Sequence, residues 1–426
     1  MKMLSYLTKQ KMRFSNLLIQ IALIFLFLLT ACSNNQANIN QSSKRQPPLA
    51  GEILVWVENP IALNDDQISQ FKAMVNDNIR QFTQLHPNVK ILVEFLPEKV
   101  KLTELLSQFN RGSGPDVFVG SFLVRYNELF ELINQGYFQP INKDEIDLSQ
   151  FRRESLRQVY YHGKIYALPV RLATQVLCYN KNKIKQLPTQ LDDLIIQARQ
   201  GYSVGLHSGF AQAFWGTGIF GGQLFNKSGQ MILGKNQGWS NWMQWLKNAR
   251  NEPNFFLIND SETLKTAFIE EKLAYITCSS GWLPYLMTSV GNDKLGITLL
   301  PGRENQRATP LLWTVSSIFN RASSANQHQI AVKMAQFLTN AEYQQQLQLA
   351  MPFLIPVNQN TIVNGQLFPM QKVLFEQSQT GVVLSLDQLE KYPAIFEYGE
   401  LLYQRVLAGS VTPEQAAAQL NQTIND

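Results

Sequence analysis

From residue 51 onward, short runs of β-branched and aromatic residues alternate with longer stretches whose apolar positions recur every three or four residues. Residues 52–57 (EILVWV) read as a strand, and Ile68, Phe71, Val75, Ile79 and Phe82 mark one face of a helix over about 66–85. His86-Pro87-Asn88 breaks that helix, and 89–96 (VKILVEFL) is the next strand. A helix over 98–110, a turn at Gly112-Ser113-Gly114-Pro115 and a strand over 116–119 follow. Strand–helix–strand order at these lengths predicts an α/β fold of mainly parallel sheets flanked by helices. Such sheets take ligands beyond the carboxyl ends of their strands. Further strands are expected over 164–169, 176–179, 202–206, 273–278, 295–300 and 312–319, and helices over 191–199, 238–251, 260–270, 325–338 and 341–350. The last helix is signed by Thr412 as N-cap, Pro413 in the first turn and Gln415 completing a capping box. The chain carries no internal repeat.

Ahead of residue 51 the pattern changes. Lys2, Lys9, Lys11 and Arg13 precede an apolar run from Leu17 to Leu29, which closes in Thr30-Ala31-Cys32. Basic, then apolar, then small residues make a secretory signal peptide over 1–31. The run is short for a stable membrane span and holds Gln20, although an uncleaved anchor is the alternative. Residues 32–50 are polar and contain Pro47-Pro48, a composition that buries little and reads as a flexible tether.

That division alters the meaning of the charge. The whole chain holds 37 Lys+Arg against 32 Asp+Glu, a formal +5. Without residues 1–31 the balance is 33 against 32, or +1, so the basic excess belongs to export. A nucleic-acid partner loses its support. What remains is rich in Asn, Gln and aromatic residues, which suits an uncharged ligand. His86, His162, His207 and His328 share no ligand-like spacing and no C-x-x-C occurs, so neither a metal nor another cofactor is expected. Cys178 and Cys278 lie far apart, each in an apolar strand-like run, and read as two separate buried thiols. Pairing in an oxidising compartment is the alternative.

Several segments together are familiar: Gly114-Pro115-Asp116-Val117, Gly163-Lys164-Ile165-Tyr166-Ala167-Leu168-Pro169-Val170, Tyr179-Asn180-Lys181, FIEEKLAYITCSSGW over 268–282, Leu299-Leu300-Pro301-Gly302, Ala335-Gln336-Phe337-Leu338-Thr339, and Gly409 with Thr412-Pro413-Glu414. In this order and spacing they resemble the family 1 extracellular solute-binding proteins. These are the sugar receptors of bacterial ABC importers, related to maltose-binding protein. The end of the export segment resembles a lipobox, implying a thioether-linked lipid on Cys32. The resemblance implies a two-lobed periplasmic-binding-protein fold of type II with the ligand cleft between lobes. It implies an N-terminal lobe of 51–177 with 304–357 and a C-terminal lobe of 178–303 with 358–426, crossing near 176–179, 301–307 and 357–360. It further implies a monomer that delivers a mono- or oligosaccharide or polyol to inner-membrane permease subunits served by a separate ATPase.

A sugar presents flat C–H faces and a rim of hydroxyls, so its receptor needs aromatic rings and polar groups around one cleft. Trp282, after Ser279-Ser280-Gly281, matches the family's stacking tryptophan, and Phe396 is a second candidate ring upstream of Gly409. Phe210 and Trp215 lie in a Gly-rich stretch, 207–222, that also holds Gln212. Glu58 and Asn59 end the first strand, while Ser121, Phe122 and Arg125 follow the third. Arg171, Thr174 and Gln175 are polar residues near the first crossing. Ala173 stands where the resemblance would align a sugar-binding Glu, and Gln212 near another acidic position, so the sugar need not be maltose. A non-sugar solute such as a polyamine or phosphorylated polyol, and a surface-tethered carbohydrate-active enzyme, are the competing readings.

Enzyme motifs occur only as strings. Gly201-Tyr202-Ser203-Val204-Gly205 spells G-x-S-x-G, but a helical stretch precedes it where a nucleophile elbow needs a strand. Gly216-Thr217-Gly218-Ile219-Phe220-Gly221 spells G-x-G-x-x-G without a leading strand, and the first acidic residue beyond it is Glu252, too distant for a dinucleotide ribose. Glu270-Glu271 and Asp192-Asp193 read as solvated helix faces. The chain is expected to bind and not to catalyse.

Overall fold

The computed structural model describes residues 48–59, 65–96, 107–109, 111–121, 132–226, 230, 232–233, 235, 237–351, 353–389 and 392–425. The export segment with Cys32, most of the tether, most of the helix expected over 98–110, and the candidates Phe122 and Arg125 lie outside them. In chain order the strands are β1 (Gly51–Glu58), β2 (Val89–Leu96), β3 (Val117–Ser121), β4 (Tyr160–Tyr161), β5 (Lys164–Ile165), β6 (Ala167–Ala173) and β7 (Gln175–Asn180). They continue with β8 (Val204–His207), β9 (Phe255–Ile258), β10 (Tyr275–Ser279), β11 (Leu295–Thr298), β12 (Leu311–Phe319), β13 (Ile355–Pro356) and β14 (Val382–Val383).

One sheet runs β13-β6-β12-β3-β1-β2, with β14 joined to β12, and a second runs β11-β7-β10-β8-β9. Strand–helix–strand order gives the parallel pairs it predicts: β1 with β2 and β3, and β8 with β9 and β10. Neither sheet, however, is mainly parallel. β12 runs antiparallel to β3 and β6, and β7 antiparallel to β10 and β11. Both strands enter from the other sheet, without the crossover helix that parallel pairing requires.

β6 ends at Ala173 and β7 starts at Gln175, so the chain changes sheets at Thr174. The expected crossing over 176–179 lies instead inside β7, where Val176, Leu177 and Cys178 are buried. β14, which the sequence assigned with the C-terminal segment to the second lobe, hydrogen-bonds to β12 of the first sheet.

Cys178 and Cys278 form a disulfide, correcting the expectation of two thiols. They sit on the neighbouring antiparallel strands β7 and β10, with Cα atoms 5.9 Å apart. That spacing suits a bridge, and distance along the chain concealed it.

The flanking helices follow local rules. The helix Asp65–Leu85 opens with two aspartates against its positive end and buries Phe71 and Phe82. The helix Ala325–Phe337 begins with a Ser324–Gln327 capping box, and Pro413–Asn425 with the reciprocal Thr412–Gln415 pair.

Candidate functional site

The carboxyl ends of parallel strands from both sheets converge on one cleft of about 400 Å³. β1 and β3 bring Glu58 and Ser121 to it; β8 and β10 bring His207 and Ser279. Register explains the first wall. Ser121, Val315 and Arg171 stand side by side across β3, β12 and β6, and Trp313 faces Ala173 two positions along. Side chains two residues apart share a face, and all of these residues line the cleft. On the other wall, Gln175 pairs with Ser279 at the ends of β7 and β10, and the turn Ser280–Trp282 continues into the helix Leu283–Val290.

Half-buried rings approach from both walls, Trp282 from the second sheet and Trp313 with Phe353 from the first. Among the described residues, the buried atoms Asn59 Oδ1, Ser121 Oγ and Gln175 Oε1 have no hydrogen-bond partner. All three side chains line the cleft. A buried polar atom left unpaired costs about 1–3 kcal/mol, so these positions favour a ligand that supplies hydroxyl donors.

Among the described residues, the charged side chains lining the cleft are one of each sign, Glu58 and Arg171. Glu58 accepts the Ser121 N–H at 3.1 Å, tying the ends of β1 and β3 together. Desolvation lowers the Arg171 guanidinium to about 10, against the attraction of Glu58 and Tyr343, and it stays cationic at neutral pH. Burial moves His207 down to about 4, opposed by Glu400 and Asp260, so it is neutral. The Gly209 N–H donates to His207 Nδ1 at 3.0 Å, which leaves the ring proton on Nε2, 3.0 Å from Ser261 Oγ. His207 therefore donates to Ser261 and is not placed to serve as its base.

Of the residues singled out in the sequence, Glu58, Asn59, Ser121, Arg171, Gln175, Gln212 and Trp282 line this cleft. Four others do not. Phe210, Trp215 and Phe396 are core residues, 1%, 0% and 8% exposed. Phe210 meets the Phe396 ring at 4.8 Å edge-on, and Trp215 meets Trp242 at 5.0 Å. Their Gly-rich stretch is held inward by Glu400, which accepts the Phe210 N–H at 2.6 Å. Its glycines are packing positions: a Cβ on Gly216 would lie 2.2 Å from Trp242, and one on Gly218 2.3 Å from Thr309. Thr174 is buried at the change of sheet, where its N–H donates to Ser280 Oγ at 3.2 Å and its carbonyl accepts the Ser280 N–H at 2.8 Å. It holds the Trp282 turn and does not line the cleft.

Sequence reasoning missed Trp313, Phe353, His207, Ser261 and Thr277, all of which line the cleft. Alternation along 311–319 could have placed Trp313 opposite the core face, but which face met the cleft required the β6 register. Ser203 of the G-x-S-x-G string lies just before β8, where its carbonyl accepts the Ala274 N–H, at the strand end remote from His207. Among the described residues no group of three or more His, Cys, Asp or Glu could hold a metal ion, and no helix is long and apolar enough to cross a membrane.

Comparison with known proteins places this geometry. A family model described as bacterial extracellular solute-binding protein matches residues 78–364. The chain is 24% identical over 330 residues to the galactooligosaccharide-binding protein of Bacillus subtilis (strain 168), covering 73% of each chain. In structure it is similar to a cyclo/maltodextrin-binding protein complexed with maltotetraose, with a TM-score of 0.72, 20% identity, and coverage of 90% of this chain and 98% of that one. It is equally similar to a maltose-binding periplasmic protein of Listeria monocytogenes in complex with maltose: TM-score 0.72, 18% identity, and coverage of 88% and 97%. The likeness extends over both sheets, so the fold is the two-lobed α/β arrangement of those proteins.

Proposed function

The chain belongs to the bacterial extracellular solute-binding proteins, and from that premise we propose that it captures a carbohydrate of more than one pyranose unit. One observation carries this reading: Trp282, Trp313 and Phe353 line one cleft that also holds the unpaired buried atoms Asn59 Oδ1, Ser121 Oγ and Gln175 Oε1. Rings cover C–H faces, and the acceptors take hydroxyl donors. The volume of about 400 Å³ falls in the range of small-molecule clefts, roughly 300–1,000 Å³. Among the described lining residues, one guanidinium and one carboxylate balance, which favours a neutral ligand over a polyamine or a phosphorylated polyol. The ligands of its relatives, a galactooligosaccharide, maltotetraose and maltose, are of the same chemical class.

In this reading the lobes close on the sugar with Thr174 at a hinge, and the closed form engages an ABC permease driven by a separate ATPase. Cys32 is the lipid attachment point, 32–50 the tether, and the mature protein an extracytoplasmic monomer. It performs no chemistry on its ligand.

Titration of intrinsic tryptophan fluorescence with galacto- and malto-oligosaccharides, beside spermidine and glycerol phosphate, tests the proposal. A saturable response to an oligosaccharide alone supports it. A response only to the charged solutes, or turnover of the sugar, overturns it.

A further inference from the structure

Lys265 lies on the helix Ser261–Ile269, one turn beyond Ser261 at the cleft wall. Its side chain is 5% exposed, although it carries an ammonium. Nζ donates to Glu262 Oε1 at 2.7 Å, and the same atom lies 5.4 Å from the centroid of the Trp282 ring and 5.5 Å from that of Tyr285. Desolvating an ammonium is costly, and Glu262, 77% exposed, is a poor repayment for it. Methionine would fill the same slot without that penalty, so the charge calls for a use.

The two rings supply one. An aromatic face attracts a cation within about 6 Å, and both rings lie in that range. Trp282 borders the cleft while Lys265 does not, so the cation meets the indole without itself lining the ligand space. Trp282 itself sits in a short turn, its neighbour Gly281 exposed. Such a turn fixes the backbone more firmly than the ring plane.

We propose that Lys265 is the positioning residue for Trp282: its ammonium, anchored by Glu262 and seated between Trp282 and Tyr285, sets the indole plane so that the opposite face is presented to a pyranose ring. This rests on the carbohydrate reading above. Lys265 touches no ligand in it and acts wholly through the tryptophan.

The test uses the full-length protein with Lys265→Met, Lys265→Arg, Trp282→Phe and the Lys265→Met/Trp282→Phe double variant. Lys265→Met is expected to weaken oligosaccharide affinity about three- to tenfold, and Lys265→Arg to restore most of it. In the Trp282→Phe background, Lys265→Met should cost nothing further. Without ligand, the near-ultraviolet circular dichroism that Trp282→Phe removes should also change in Lys265→Met. The proposal is overturned if Lys265→Met lowers only the melting temperature, leaving affinity and the tryptophan signal intact. It also fails if the affinity loss persists undiminished without Trp282. Should the wild type bind no sugar, the carbohydrate reading fails, and the ligand-free spectra still decide the positioning role.

Discussion

Gln67 Nε2 lies 2.8 Å from the Pro284 carbonyl oxygen and 2.8 Å from Thr288 Oγ1, spanning from the helix Asp65–Leu85 of the first sheet to the helix Leu283–Val290 of the second. The Thr288 hydroxyl donates to the same carbonyl at 3.1 Å, so three polar groups close a small ring beside Trp282. These bonds exist only while the two walls are close.

Gln67→Ala is therefore expected to accelerate ligand release and weaken affinity about three- to tenfold, the worth of one or two hydrogen bonds. Stopped-flow fluorescence measures the off-rate. Ligand-free melting should move little, because the contact lies at a partly exposed rim.

The two classes of tryptophan should separate cleanly. Trp313→Ala is expected to reduce affinity at least tenfold while leaving the fold intact, since its ring is half-buried in the cleft wall. Trp215→Ala, which empties a fully buried site, should cost about 3–5 kcal/mol of stability and spare the affinity of the protein that remains folded. Calorimetric titration and urea denaturation on the same samples distinguish them.

His207 makes stability depend on pH. Its folded value, about 4, is below the ordinary 6.5, so the unfolded chain binds the proton more readily between them. Its contribution is fully present above pH 6.5 and is lost as pH falls towards 4, by on the order of 3 kcal/mol in all. Urea denaturation at pH 7 and pH 4.5 should show the loss, and His207→Gln should flatten the slope. His328, lowered by its own burial, retains part of it.

Replacing Cys178 and Cys278 by serine should destabilise the protein by about 2–5 kcal/mol, since their bond closes a loop with a sequence separation of 100. The bridge also ties β7, which leads from Thr174, to β10, which leads to Trp282. Scanning calorimetry of the double variant gives the stability, and sugar titration shows whether that link also serves the cleft.

Strand ends were readable in advance. Glu58, Asn59 and Ser121 follow apolar β-runs in a strand–helix–strand sequence, and parallel pairing of β1 and β3 brings such ends together. Trp282 was singled out by the family resemblance, supported by the Ser280-Gly281 turn that follows the end of β10 at Ser279. Phe210, Trp215 and Phe396 were misplaced for an opposite reason. Glycines that resembled a binding loop are close-packing positions: a Cβ on Gly216 would lie 2.2 Å from the Trp242 ring.

The linear chain was sufficient for the change of pattern at residue 51, for the concentration of basic excess before it, and for the alternation of strands and helices. Those are properties of composition and of periods two to four residues long, and neighbours along the chain enforce them. Folding had to settle which aromatics border the cleft, where the chain changes sheets, and that Cys178 meets Cys278. Each depends on the register between segments separated by up to about two hundred residues. A one-residue slip of β12 against β6 would turn Trp313 from the cleft into the core face, and no local pattern in either strand forbids that slip.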